Sequence, residues 1–198
     1  MKMMGTIDDA ERSKPRIDIR GYVLLIVISA AGCSATPKAP SENGGMFRER
    51  NEGYSLLYKL MSDESKVSEI FIIKYADDSV GGLVKEIGAA CTGAKKEMES
   101  YPGLNIRIEY DVPDLPKVEQ ESRDLEAKAE TKSLLTSSGK TFELRLLFTQ
   151  AEAMEYAINL SNAIAAKEDD GGRRKFLTDL SEQCAGFDDR IFKLLSVK

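Results

Sequence analysis

The sequence predicts an all-α fold, a four-helix bundle in which a long crossover joins the second helix to the third. Three observations lead there. Apolar residues recur at steps of three and four through four segments of the chain, which gathers them on one face of an α-helix. Tyr101-Pro102-Gly103 and Asp169-Asp170-Gly171-Gly172 interrupt the pattern with residues that end helices. About forty residues separate the second segment from the third, far more than the roughly 2 to 8 that join neighbouring helices of a bundle.

Ahead of the helices the chain reads as an export address. Lys14, Arg16 and Arg20 precede an apolar run from Tyr22 to Ile28, and Ser29, Ala30, Ala31 and Gly32 lead into Cys33. Basic, then apolar, then small is the order of a secretory signal peptide, here spanning 1–32. The run is too short for a membrane-crossing helix, which takes about 20 residues. Ala30-Ala31-Gly32-Cys33 resembles the lipobox of bacterial lipoproteins, departing from its usual form at Ala30, where leucine is commonest. The resemblance implies cleavage before Cys33, a diacylglycerol on its thiol, and a mature chain held to a membrane by acyl chains. An uncleaved anchor or an ordinary signal peptide is the competing reading, and either one still exports the chain. Ser34 rather than aspartate follows the cysteine, which in the Gram-negative lipoproteins it resembles favours the periplasmic face of the outer membrane.

Residues 33–50 form the lipidated cysteine and its tether. Ser34 to Arg50 is rich in proline, serine and glycine and has little to bury. A flexible chain of that length spans on the order of 20 to 25 Å. The bundle domain occupies 51–198. Its first helix is expected from about Tyr54 to Tyr75, with Leu57, Leu60, Met61, Val67 and Phe71 on its stripe and an interruption at Asp63-Glu64-Ser65. Val80, Val84, Ile87, Cys91, Ala94 and Met98 define the second helix more cleanly. The crossover begins with Leu104 to Val112, whose apolar and polar residues alternate as in a strand; with no second strand to pair, it is expected to lie extended along the bundle. A polar helix follows Pro116 through about Thr136, with Val118, Leu125, Ala129, Leu134 and Leu135 as its thin contact face. Phe142, Leu146, Thr149, Ala153, Tyr156, Leu160 and Ala163 line the third bundle helix, and Leu177, Leu180, Cys184, Phe187, Ile191 and Leu194 the fourth.

Two helices, one long crossover and two more helices is the connectivity of ferritin-like bundles. The segment L-L-T-S-S-G-K-T-F-E-L-R-L-L-F-T-Q-A-E-A-M-E-Y-A, from Leu134 to Ala157, also resembles exported ferritin-like domains of unknown function from bacterial envelopes. The resemblance implies a topology rather than a chemistry.

Composition narrows the function. The chain has 28 basic and 33 acidic side chains, a net charge of -5, which argues against a nucleic-acid partner. It has no histidine, which removes Ser-His-Asp and Cys-His catalysis and most zinc and di-iron sites. Glu152-Ala153-Met154-Glu155 occupies the spacing of a di-iron Glu-x-x-His pair, with glutamate in place of histidine. An all-carboxylate site for manganese or calcium would draw on Glu64, Glu143, Glu152, Glu155 and Glu182, against the more ordinary reading of solvated helix faces. Gly139-Lys140-Thr141 lacks the earlier glycine and the preceding strand of a phosphate-binding loop. Ser137-Ser138-Gly139-Lys140 spells S-x-x-K without companion motifs, and Ser138 reads instead as a helix cap.

Apart from Cys33, the chain has two cysteines, Cys91 and Cys184, both on core stripes with small neighbours. In an oxidising compartment an even pair favours a disulfide, closing a loop of roughly ninety residues and contributing about 4 kcal/mol. The competing reading is two buried thiols packed as small hydrophobes. Taken together, the sequence predicts no enzyme and no cofactor. It points to a lipid-anchored envelope protein with a structural or interaction role toward an envelope partner, and secondarily to a divergent ferritin-like bundle with a carboxylate metal site for storage or redox chemistry.

Overall fold

The structure, a computed structural model, describes residues 42–104, 106 and 116–197. The signal peptide, Cys33 and the tether up to residue 41 lie outside the described residues, as does all but Leu104 and Ile106 of the extended segment expected over Leu104–Val112. The described residues form an all-helical bundle without strands: α1 (Glu42–Glu64), a 3₁₀ helix (Val67–Ile72), α2 (Asp78–Ser100), α3 (Lys117–Thr136), α4 (Gly139–Ala165) and α5 (Gly171–Ser196). None of these helices is long and apolar enough to cross a membrane.

α1 corrects two boundaries. It begins at Glu42, inside the stretch to Arg50 assigned above to a tether, and it stops at Glu64 rather than near Tyr75. Arg50 is buried and its guanidinium lies 3.5 Å from Glu168, so a tertiary contact holds this part of the helix. The stop comes where Asp63, Glu64 and Ser65 break the stripe, and Ser65 Oγ donates to the Ser62 carbonyl at 2.8 Å. Hydroxyls that bond nearby backbone in this way compete with helix propagation. Val67, Ile70 and Phe71 still pack against the core, from the 3₁₀ helix.

α2 follows expectation. Asp77 caps it by accepting from the Val80 N–H at 3.0 Å, and all six stripe residues from Val80 to Met98 are buried. Beyond its end, Gly103 takes φ +80°, which glycine adopts without strain. α3 forms where the polar helix was expected and Leu134 packs against the core as expected, but the rest of its contact face is different. Val118 and Leu125 are 77% and 66% exposed, Leu135 is 44% exposed, and the buried position is Ala127. In α4 the buried face also drifts: Phe142, Leu146, Thr149 and Ala153 are buried as expected, but beyond them Ala157, Ser161 and Ile164 become the fully buried positions, with Tyr156 and Leu160 partly buried against the core and Ala163 exposed. Ser138 occupies the cap position of α4 without a side-chain bond. α5 is capped by Asp170, which accepts from the Arg173 N–H at 2.8 Å, and buries Leu177, Leu180, Cys184, Phe187 and Ile191.

α4 and α5 make the most extensive contact, α1 packs on both α2 and α4, and α2 packs on α5, while α3 touches mainly α4. Side-chain contacts give the directions. Arg50 near the start of α1 reaches Glu168 just past α4, whereas Glu64 at the end of α1 meets Gln150 in the first half of α4, so the two helices run antiparallel. Glu86 early in α2 bonds Arg190 late in α5, and the ring of Tyr101 after α2 meets Phe176 early in α5, so these also run antiparallel. One end of the bundle therefore carries the start of α1 and the α4–α5 turn, and the other carries the 3₁₀ helix, the starts of α2 and α4, and the end of α5. Leu57, Met61, Ile87, Met98, Leu147 and Met154 are among the fully buried side chains between them. Each contributes about 1.5–3 kcal/mol relative to exposure. At the α1–α4 crossing Gly53 admits close approach: a Cβ there would lie 2.8 Å from Ile164 Cγ1.

Candidate functional site

Two buried carboxyl groups concentrate the polar chemistry of the described residues. α1 ends by carrying Glu64 into the core, where Gln150 Nε2 donates to its Oε2 at 2.7 Å. Burial raises the carboxyl to about 7, the Gln150 hydrogen bond works against that rise, and the nearby Asp63 charge adds to it. Among the described residues Gln150 Oε1 is buried without a hydrogen-bond partner.

Cys91 lies within electrostatic reach of both Glu64 and Cys184. The register of α2 against α5 places the two thiols at one level: Cys91 comes five residues after Glu86, and Cys184 six residues before its partner Arg190. The bridge favoured by the sequence is absent, and both are buried free thiols. Burial pushes both thiols up, Cys184 to about 12, and for Cys91 the Glu64 charge adds to the effect. Neither therefore carries the thiolate that bond formation and nucleophilic chemistry need.

The second carboxyl, Glu168, sits in the α4–α5 turn and meets cations instead. Arg173 grips it with Nε at 3.0 Å and Nη2 at 2.8 Å, the Tyr54 hydroxyl donates at 2.9 Å, and the Asp170 N–H at 3.0 Å. Arg174 donates to the Glu168 carbonyl at 2.9 and 2.6 Å. Burial alone would raise this carboxyl, but the Arg173, Asp170 and Tyr54 hydrogen bonds outweigh it and lower it to about 2. Sequence reasoning missed this clamp. Its signal was Arg173-Arg174 just beyond a turn that begins with an acid on the apolar end of a helix.

The other carboxylates proposed as metal ligands are dispersed. Glu143 is buried and accepts from the Asp77 N–H at 2.7 Å, joining the starts of α4 and α2. Glu152 is half-buried beside a groove of about 420 Å³ between α3 and α4, its carboxyl raised by burial and then by Glu130 and Glu155. Glu155 and Glu182 are exposed. Among the described residues no group of three or more carboxylate, thiol or imidazole side chains is arranged to hold a metal ion. In the S-x-x-K spelling, Ser137 Oγ donates to the Leu134 carbonyl at 3.1 Å and Lys140 is exposed.

No protein-family model matches the chain, and neither does any curated protein or solved structure. Of the buried carboxyl groups, Glu168 forms an ionised clamp between α1 and the α4–α5 turn, Glu143 joins the starts of α4 and α2, and Glu64 sits neutral or charged according to pH between α1 and α4.

Proposed function

We propose that the chain is a lipid-anchored protein of the cell envelope, exported and acylated on Cys33, whose helical bundle has a non-catalytic structural or interaction role toward an envelope partner. The observation that carries this reading is the run from Arg20 to Cys33, a basic flank, a short apolar stretch and Ala30-Ala31-Gly32-Cys33. The start of α1 at Glu42 adds to it, because only eight residues then separate Cys33 from the first helix. At about 3.3–3.6 Å per residue such a linker holds the bundle within roughly 30 Å of its acyl chains. Ser34 supports the periplasmic face of the outer membrane in a Gram-negative host.

The finer architecture belongs to the same proposal. We read α1, α2, α4 and α5 as a four-helix bundle of ferritin-like connectivity, with α3 as part of the crossover. The antiparallel contacts of α1 with α4 and of α2 with α5 support it. The reading does not extend to a ferritin-like metal centre, since Glu64 and Glu143 are already engaged by protein donors.

Intact mass spectrometry of the chain expressed in a Gram-negative host tests the anchor. The expected species begins at Cys33 and carries acyl chains. A full-length, unmodified chain would overturn the reading.

A further inference from the structure

The last residue of α1 turns its carboxyl into the core, and the amide it meets there is only half satisfied. Glu64 is 3% exposed and Gln150 is 1% exposed, and Gln150 Nε2 donates to Glu64 Oε2 at 2.7 Å. The other atom of the same amide, Gln150 Oε1, is buried without a hydrogen-bond partner among the described residues. An ionised carboxyl only accepts, so it serves the amide N–H and never the amide oxygen. A protonated carboxyl serves both, accepting from Nε2 and donating its O–H to Oε1 in a closed acid–amide ring. Reversing the amide gives no escape, because its oxygen would then face the carboxyl and need the same proton. The second bond asks only for rotation about the terminal torsions of the two side chains, which are broad in glutamate and glutamine.

The surroundings favour the neutral form. Asp63 on α1 is paired with Lys59 at 3.3 Å and lies within reach of Lys66, α2 presents Cys91, α4 presents Gln150, and α5 adds Cys184 within reach of Cys91. Among the described residues Glu64 itself makes no ion pair. We propose that Glu64 and Gln150 form a proton-operated latch, closed by the acid–amide ring and weakened as Glu64 loses its proton, which holds the end of α1 and the 3₁₀ helix onto α2 and α4. The latch covers a defined surface. A Cβ on Gly88 of α2 would lie 3.5 Å from the Ser65 carbonyl and 3.6 Å from the Glu64 carbonyl, so the end of α1 packs directly on α2. Val67, Ile70 and Phe71 of the 3₁₀ helix pack against the same core. Opening hydrates Glu64, frees those three side chains and uncovers α2 around Gly88. An opened Glu64 titrates at its ordinary value of 4.5 and a closed one at about 7, so the closed state holds its full advantage below 4.5 and loses it as pH rises through about 7. Between those values opening becomes about tenfold more frequent per pH unit, roughly 300-fold in all.

Hydrogen exchange of the full chain, followed amide by amide by NMR and corrected for its intrinsic pH dependence, reads that opening. The reporters are the amides of Ser65, Glu69, Ile73 and Lys74, each bonded to a backbone carbonyl at 2.8–3.1 Å. Their protection is expected to fall about tenfold per pH unit below pH 7 and to level off above it. Glu64→Gln donates to Gln150 Oε1 through its own amide N–H, keeps the ring at every pH, and holds that protection level. In the same samples the carbon resonances of the Glu64 carboxyl and the Gln150 side-chain carbonyl move together, with one midpoint near 7. A Glu64 that titrates near 4.5, or a Gln150 carbonyl that stays still while Glu64 titrates, overturns the ring. Protection that is flat with pH in the wild-type chain, or that falls equally in Glu64→Gln, overturns the latch.

Discussion

Glu168 and Glu64 sit at 2% and 3% exposure in different parts of one bundle, and they titrate in opposite directions. Near the start of α1, Glu168 is surrounded by guanidinium, hydroxyl and amide donors, and it stays charged. Under the end of α1, Glu64 has one amide donor and a thiol for company, and it holds its proton to about 7. Burial is therefore common to both, and the partners decide the charge. The first region is pinned by a charge that costs stability if any part is removed; the second tolerates a neutral group.

The largest expected effect comes from stapling α2 to α5 beside Glu64, which stiffens the second region. Oxidising Cys91 and Cys184 with diamide, which takes up the two hydrogens the thiols lose, should form the bridge in the partly opened chain. It should stabilise by about 4 kcal/mol, raising Tm by about 10 °C against a reduced control. Cys91→Ala abolishes the gain, and a reagent-treated mass unchanged under non-reducing conditions counts against the pairing. Glu168→Ala comes next, at about 3 kcal/mol lost in urea unfolding, because it leaves Arg50 and Arg173 without their shared carboxylate. A loss under 1 kcal/mol would mean that the clamp is ornamental.

The third test is pH. Glu64 is raised in the folded chain from 4.5 to about 7, so the folded state holds a proton that the unfolded state has released. Its contribution to stability therefore falls as pH rises between those values, by up to about 3 kcal/mol. Glu64→Gln should flatten that slope and leave the acid limb intact. That limb belongs to Glu168, lowered to about 2, whose contribution is lost as pH falls from about 4.5 toward that value. Smallest of all, Leu125→Ser on exposed α3 should change stability by no more than about 0.5 kcal/mol, which chemical denaturation can bound.

Helices were legible wherever one face alone is buried. α2 and α5 each bury one face, and their stripes from Val80 to Met98 and from Leu177 to Ile191 are buried almost residue for residue. α4 buries a broader surface that takes in Glu143, Leu147, Gln150 and Met154 and drifts to Ala157 and Ser161, so no single stripe describes it. α1 was misplaced because Arg50 looked like linker and is a buried ion-pair partner, a fact decided by Glu168 more than a hundred residues away. The same distance hid the α1 members of the clamp, Arg50 and Tyr54, although its Arg173 partner lies only five residues from Glu168. The level shared by Cys91 and Cys184 was visible only as two core-stripe cysteines, because a helix pattern gives the face a residue occupies but not the height at which two helices align.

Gly53 sets an order on how this protein can change over generations. A side chain at 53 would lie 2.8 Å from Ile164 Cγ1, so an alanine there requires Ile164 to shift or to be replaced by a smaller residue. Ile164→Ala by itself opens a void costing about 2–5 kcal/mol, which Gly53→Ala can then partly refill. The two positions are thus epistatic, with the valley between them crossed from the α4 side, and descendants of this chain should carry either the glycine with a large aliphatic partner or both replacements together.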